Sequence, residues 1–240
     1  MDTVESSLDT FIKKNHIELL SHGGILRLNH ENINNGAKGD FRELSQARYA
    51  VRDFGESPVD IEKIKKALTL CERTPSACNR QSWRIHIYTD NELKNHIFDL
   101  QAGCKGFHDG MQCAVLICCD AKNYFFGEFS LPYVDGGIYA MNLMYALNYY
   151  DLATIPLTLG HREKRIKAIR KEMRLPKTEI PVILIGVGTY KKEFKVAESH
   201  RMPYTEYVTF NKESNEQDIS IRRDRSDGRT SRAPDEQDKE

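Results

Sequence analysis

Apolar and polar residues alternate over one short stretch ahead of the middle of this chain. Trp83 to Tyr88 reads WRIHIY, a period-two pattern that predicts a strand. Cys113 to Cys119, CAVLICC, and Pro181 to Val187, PVILIGV, are nearly continuous apolar runs, as central strands buried on both faces require. DLATIPLTLG, residues 151–160, predicts a short strand with an irregular turn. Between these runs the period lengthens. Ile61, Ile64, Leu68 and Cys71 share one face of a helix that Ser57-Pro58 opens, with Pro58 near its first turn. Residues 40–47 predict a helix capped by Asp40, and residues 90–100 and 161–173 predict two more. Residues 138–150 are apolar almost all round, which predicts a buried helix.

The N-terminal residues 4–20 carry an imperfect apolar stripe and predict a helix that ends at Gly23-Gly24. Residues 30–40 read as a polar linker, and QAGCKGFHDG, residues 101–110, as a glycine-bearing loop. After about Phe210 the chain is more than half charged and almost free of large apolar residues, so disorder is expected there. The organisation expected is an N-terminal helix and linker over 1–40, one domain over 41–210 and a charged tail over 211–240. Strands separated by helices imply a layered α/β or α+β domain.

Charge narrows the partners. Lys+Arg 35 balances Asp+Glu 35, which argues against nucleic acid as a partner and leaves self-association unopposed. No apolar run is long enough for a bilayer and the N-terminus does not read as a secretory signal, so a cytoplasmic protein with no membrane partner is expected. Six cysteines include Cys118 and Cys119, which a regular strand points to opposite faces. With no C-x-x-C and no His-Glu-x-x-His, they read as small buried thiols, and no metal site is expected.

The candidate chemistry lies in Arg48 to Trp83. Arg48 and Arg52 stand four apart around a short turn, and fixed guanidinium forks suit a phosphate, although such pairs often simply face water. Arg201, in VAESHRMPYTEY, is a third candidate with the same ordinary alternative. Pro75-Ser76-Ala77-Cys78-Asn79 is either a plain helix-to-strand loop or a polar cradle for a flat ring. Trp83 needs no role beyond anchoring the core. Asp135 reads as a helix N-cap. Gly103, Gly106 and Gly110 lack the dinucleotide spacing, and neither a P-loop nor a Gly-x-Ser-x-Gly elbow occurs.

Four segments in order, Arg48-Tyr49-Ala50-Val51-Arg52, Pro75 through Trp83, Asp135-Gly136-Gly137 through Leu147, and Val196 through Val208, resemble the nitroreductase-like FMN-dependent oxidoreductases over roughly residues 41–210. Gly103-Cys104-Lys105-Gly106-Phe107 resembles one bacterial subgroup. The resemblance implies an α+β fold with a central mixed sheet flanked by helices, in a domain-sharing homodimer. It implies FMN as cofactor, NADH or NADPH as reductant, and ping-pong hydride transfer to a small organic acceptor such as a nitro compound or quinone. Arg48, Arg52 and Arg201 would hold the phosphate end of FMN, with backbone contacts from Tyr49 and Ala50. Pro75, Ser76, Ala77 and Asn79 would reach FMN from the neighbouring subunit. Leu157, Thr158 and Gly160 would lie near the reactive edge of the ring, and Lys105 near its pyrimidine end. The cofactor carries the chemistry, so no catalytic side chain is implied.

Three residues depart from the family pattern. Ala50 stands for the usual Ser and forgoes a hydroxyl contact worth about 1.5–3 kcal/mol. Ser82 stands for Pro. Asp151 stands for a Gly, a position that Asp tolerates in the left-handed conformation. Two rival functions fit the same motifs: a flavin-dependent dehydrogenase tailoring a biosynthetic product, and a non-catalytic flavin-binding dimer with a decayed site.

Overall fold

The computed structural model describes residues 24–160 and 163–210. The helix expected over 4–20 and the charged tail after 210 lie outside the described residues. In chain order the elements are β1 (Gly24–Asn29), α1 (His30–Lys38), α2 (Phe41–Ala47), α3 (Ile61–Leu70), β2 (Trp83–Tyr88), α4 (Asn91–Gln101), β3 (Cys113–Asp120), α5 (Leu131–Tyr149), β4 (Ala153–Thr158), α6 (Glu163–Glu172), β5 (Glu179–Gly188) and β6 (Glu193–Glu198).

Four of these helices begin on an Asx cap, which satisfies amides that the first turn leaves free. Asn29 accepts from the Glu31 amide at 2.8 Å, Asp40 from Glu43 at 3.0 Å, Asp60 from Glu62 at 2.9 Å, and Asp90 from Glu92 and Leu93 at 3.0 Å. Because Asp60 is the cap, Pro58 lies outside its helix, not in the first turn.

Four strands form one sheet in the order β2-β3-β5-β4, every neighbouring pair antiparallel. Its parallel component is a single bridge from Ala50 to Thr154 on the outer edge of β4. β3 is central and buried on both faces. Cys113, Val115 and Ile117 pack towards α3 and α5, while Ala114, Leu116 and Cys118 pack towards α4 and α6. The result is three layers. Each fully buried Leu or Ile in them contributes about 1.5–3 kcal/mol.

Two expectations change here. Residues 30–38 are a helix, not a linker: Ile33 and Ala37 are buried, and α1 packs on α2 and α5. The segment also follows β1, which pairs antiparallel with β6. β6 carries its own alternation, with Phe194 and Val196 buried between exposed neighbours, but its pairing with the distant β1 leaves no mark in sequence. The long helix starts at Leu131, with Pro132 in its first turn, so Asp135 lies inside it and not at its cap. Among the described residues, no helix is long and apolar enough to cross a membrane.

Residues 24–199 fall within one compact unit. A second unit begins at His200; its described part, 200–210, holds one 3-10 turn at Tyr204–Glu206, with Met202, Tyr204, Tyr207 and Phe210 exposed.

Candidate functional site

The Arg48–Arg52 segment leaves α2 in extended conformation and lies along the free edge of β4. The Val51 amide donates to the Thr154 carbonyl at 2.9 Å, and the Val51 side chain is fully buried. The half-buried Arg48 and the exposed Arg52 flank this anchor. Arg52 places its guanidinium 5.8 Å from the Phe107 ring centre. Arg48 has a buried Nε with no hydrogen-bond partner. Such an orphaned donor is costly unless something accepts from it.

Behind Arg48 sits a polar cluster. The Tyr190 hydroxyl donates to Asn148 Oδ1 at 2.7 Å, and the Tyr190 ring stacks on His30 with centres 5.3 Å apart. His30 Nε2 lies 2.5 Å from Asp151 Oδ1, and Lys63 Nζ 3.3 Å from Asp151 Oδ2. Burial pushes the Tyr190 hydroxyl well up; the Asp151 charge adds to this and the Arg48 guanidinium opposes it. Asp151 has φ 63°, the left-handed conformation expected of the residue that stands for a family Gly.

The loop after α4 reaches the far end of β4. Gln101 Nε2 donates to the Thr158 carbonyl at 2.9 Å, while its Oε1 accepts from the Gly103 amide at 2.7 Å. Lys105 is exposed, next to Gly106 at φ 95°. The β4 end leads through exposed Thr158 to Gly160 at φ 68°; the Leu157 side chain is buried in the core. Lys105, Thr158 and Gly160 therefore belong to the C-terminal end of β4 and the loop that Gln101 ties to it, and Arg52 meets the same loop at Phe107. Gln101 and Phe107 were not legible as site residues. Their part depends on pairing with Thr158 and Arg52, which no local pattern announces.

The Pro75–Asn79 loop lies elsewhere. It precedes β2, at the opposite side of the sheet from β4. Strands sit about 4.8 Å apart, so four spacings separate β2 from the Ala50–Val51 segment by about 19 Å. The loop is rigidly built. Cys78, Asn79 and Gln81 take φ of 49°, 55° and 49°. Left-handed non-glycine residues persist where the surroundings impose them, and they cluster at functional sites. Here the Ala77 amide donates to Asp135 Oδ1 at 2.9 Å, the Gln81 amide to Ser76 Oγ at 3.0 Å, and Asn142 Nδ2 to Thr74 Oγ1 at 2.7 Å. Asp135 also accepts from the Tyr124 hydroxyl at 2.8 Å, and Tyr124 bonds Ser82. Burial raises the Tyr124 hydroxyl above its ordinary range, so it stays a donor. Arg80 grips Glu128 at 2.5 and 3.2 Å. Pro75, Cys78 and Asn79 remain exposed. Cys78 thus departs from the expected buried thiol; the other five cysteines are buried, and all six are free. Arg201 belongs to the second unit and is exposed.

Residues 46–112 match the profile of the Nitroreductase family. A protein of Archaeoglobus fulgidus, assigned as an NADH dehydrogenase/NAD(P)H nitroreductase, is 23% identical over 156 residues, 63% of this chain and 86% of its own length. The crystal structure of a nitroreductase family protein from Clostridium difficile superposes with a TM-score of 0.60 at 23% identity, covering 72% of this chain and 99% of that one. An FMN-dependent nitroreductase from the same species gives a TM-score of 0.58 at 19% identity, covering 70% and 98%. In its matched residues and in its fold, the chain is nitroreductase-like.

Proposed function

We propose that the chain is an FMN-dependent NAD(P)H oxidoreductase acting on a small organic acceptor, with the cofactor-binding domain at 41–210. The observation that carries this is the Arg48–Arg52 edge: a buried guanidinium nitrogen without an acceptor beside a second, exposed guanidinium. That donor set fits the phosphate of FMN. When bound there, FMN would supply the redox chemistry, ping-pong hydride transfer from NADH or NADPH to a nitro compound, quinone or similar acceptor.

The residues of the chain then bind and orient. Arg48 and Arg52 neutralise the phosphate, with Tyr49 and Ala50 lending backbone contacts. Thr158 and Gly160 present backbone at the ring edge, with Leu157 supporting them from the core. Lys105 supplies positive charge for the ring's pyrimidine end. No side chain is needed as general acid or base.

The Pro75–Asn79 loop leads into β2, which stands about four strand spacings from the Ala50–Val51 segment, an arrangement that favours the loop serving a different site. We infer that Pro75, Ser76, Ala77 and Asn79 serve the site of a second copy in a homodimer. Tyr133, Val134 and Ile138, exposed on one stripe of α5, are an apolar face suited to such a contact.

The absorption spectrum of purified protein tests this reading. Bound oxidised flavin and FMN-dependent oxidation of NAD(P)H with a quinone are expected, with parallel lines in two-substrate kinetics. Arg48→Ala is expected to lose flavin on gel filtration. A colourless protein that takes up no added FMN would overturn the proposal.

A further inference from the structure

His86, Cys118 and Glu179 stand together on the sheet face away from α5, although they lie on three different strands. A ring nitrogen of His86, Sγ of Cys118 and a carboxylate oxygen of Glu179 are all within 4.8 Å of one another. His86 Nε2 is 2.5 Å from Glu179 Oε2. Cys118 is fully buried, the Glu179 side chain is 8% exposed and the His86 side chain 29%. The pairing explains the meeting. Cys118 pairs with Arg84 of β2, so His86 sits on the diagonal, within reach of a same-face neighbour. On the other side the β3–β5 register shifts between Ile117 and Cys118, a bulge that re-aims the side chains around it. Among the described residues this is the one group of three such donors.

We propose that His86, Cys118 and Glu179 form a site for a divalent, borderline-soft cation of the zinc class. One nitrogen, one sulfur and one carboxylate oxygen suit such an ion, whereas magnesium and calcium take oxygen donors. A thiolate and a carboxylate neutralise its two charges. Zinc bonds of about 2.0–2.3 Å require donors somewhat more than 3 Å apart, so the His86–Glu179 contact must open by about 1 Å on binding. The half-exposed His86 leaves a side open to solvent, where water completes the tetrahedron. The site joins β2, β3 and β5 on the face opposite α5. It acts as a structural clamp and stands independently of the flavin reading.

The test is calorimetric titration of Zn²⁺ into the purified full chain after chelator treatment and desalting, with Mg²⁺ as control. One Zn²⁺ per chain, no Mg²⁺ uptake and a rise in melting temperature with Zn²⁺ are expected. Cys118→Ala and His86→Gln are each expected to weaken binding at least tenfold while the far-ultraviolet circular dichroism stays that of the parent. Should Cys118→Ala not fold, His86→Gln, at a half-exposed position, decides alone. Absence of stoichiometric Zn²⁺ uptake by the parent chain overturns the proposal, as does uptake unchanged in His86→Gln, which would place the ion on other side chains.

Discussion

The Ala77 amide donates to Oδ1 of Asp135 at 2.9 Å, across 58 residues of sequence. One buried carboxylate inside α5 thereby holds the loop that carries Pro75 and Asn79, and with its other oxygen holds Tyr124. Asp135→Ala leaves the Ala77 amide without its acceptor and leaves the Tyr124 hydroxyl with Ser82 alone. The expected cost is about 2–3 kcal/mol in denaturant unfolding. The Ala77 amide is also expected to exchange its hydrogen faster, which a general loosening of the core would not single out.

Asp151 combines a left-handed backbone with a hydrogen bond to His30 and an ion pair with Lys63. Glycine retains the turn and loses the contacts; alanine loses both. Asp151→Ala is expected to be less stable than Asp151→Gly by roughly 1 kcal/mol, the usual penalty for a Cβ in this conformation. Equal stabilities in chemical denaturation would show that the turn stores no strain.

Glu128 has a carboxyl held below its ordinary value of 4.5, first by its hydrogen bond to Arg80 and then by the Phe125 amide. A depressed carboxyl stabilises the fold fully above its unfolded value and loses that contribution as pH falls through the folded one. The stability gap between the parent and Glu128→Gln is expected to be constant near neutrality and to close below about pH 4.5. A gap that does not narrow at all as the pH falls into the acid range would deny the charged pair its role.

Cysteine reactivity separates one thiol from five. Burial pushes Cys71 and Cys113 up to about 12 and raises Cys104, Cys118 and Cys119, whereas Cys78 is exposed. The thiolate is the reactive form. Alkylation of the native chain, followed by mass spectrometry, is expected to modify Cys78 alone, and denaturant is expected to release the rest.

Local pattern alone determined the elements whose period is strong. WRIHIY, CAVLICC and PVILIGV are strands where alternation or continuous apolarity required them, and Asp40 caps its helix because only the residues just after it are involved. The arginine pair and the Pro75–Asn79 loop were legible for the same reason, since their residues are neighbours in the chain. Strand order was not legible. Only the fold sets the loop at one side of the sheet and the arginines at the other, because hydrogen bonding between strands depends on partners tens of residues away. Asp135 as a buried anchor, the β1–β6 ribbon and the His86–Cys118–Glu179 cluster were decided by the same long-range pairing. Such contacts leave no spacing in sequence, because each residue obeys its own strand or helix and meets the others only when the layers close.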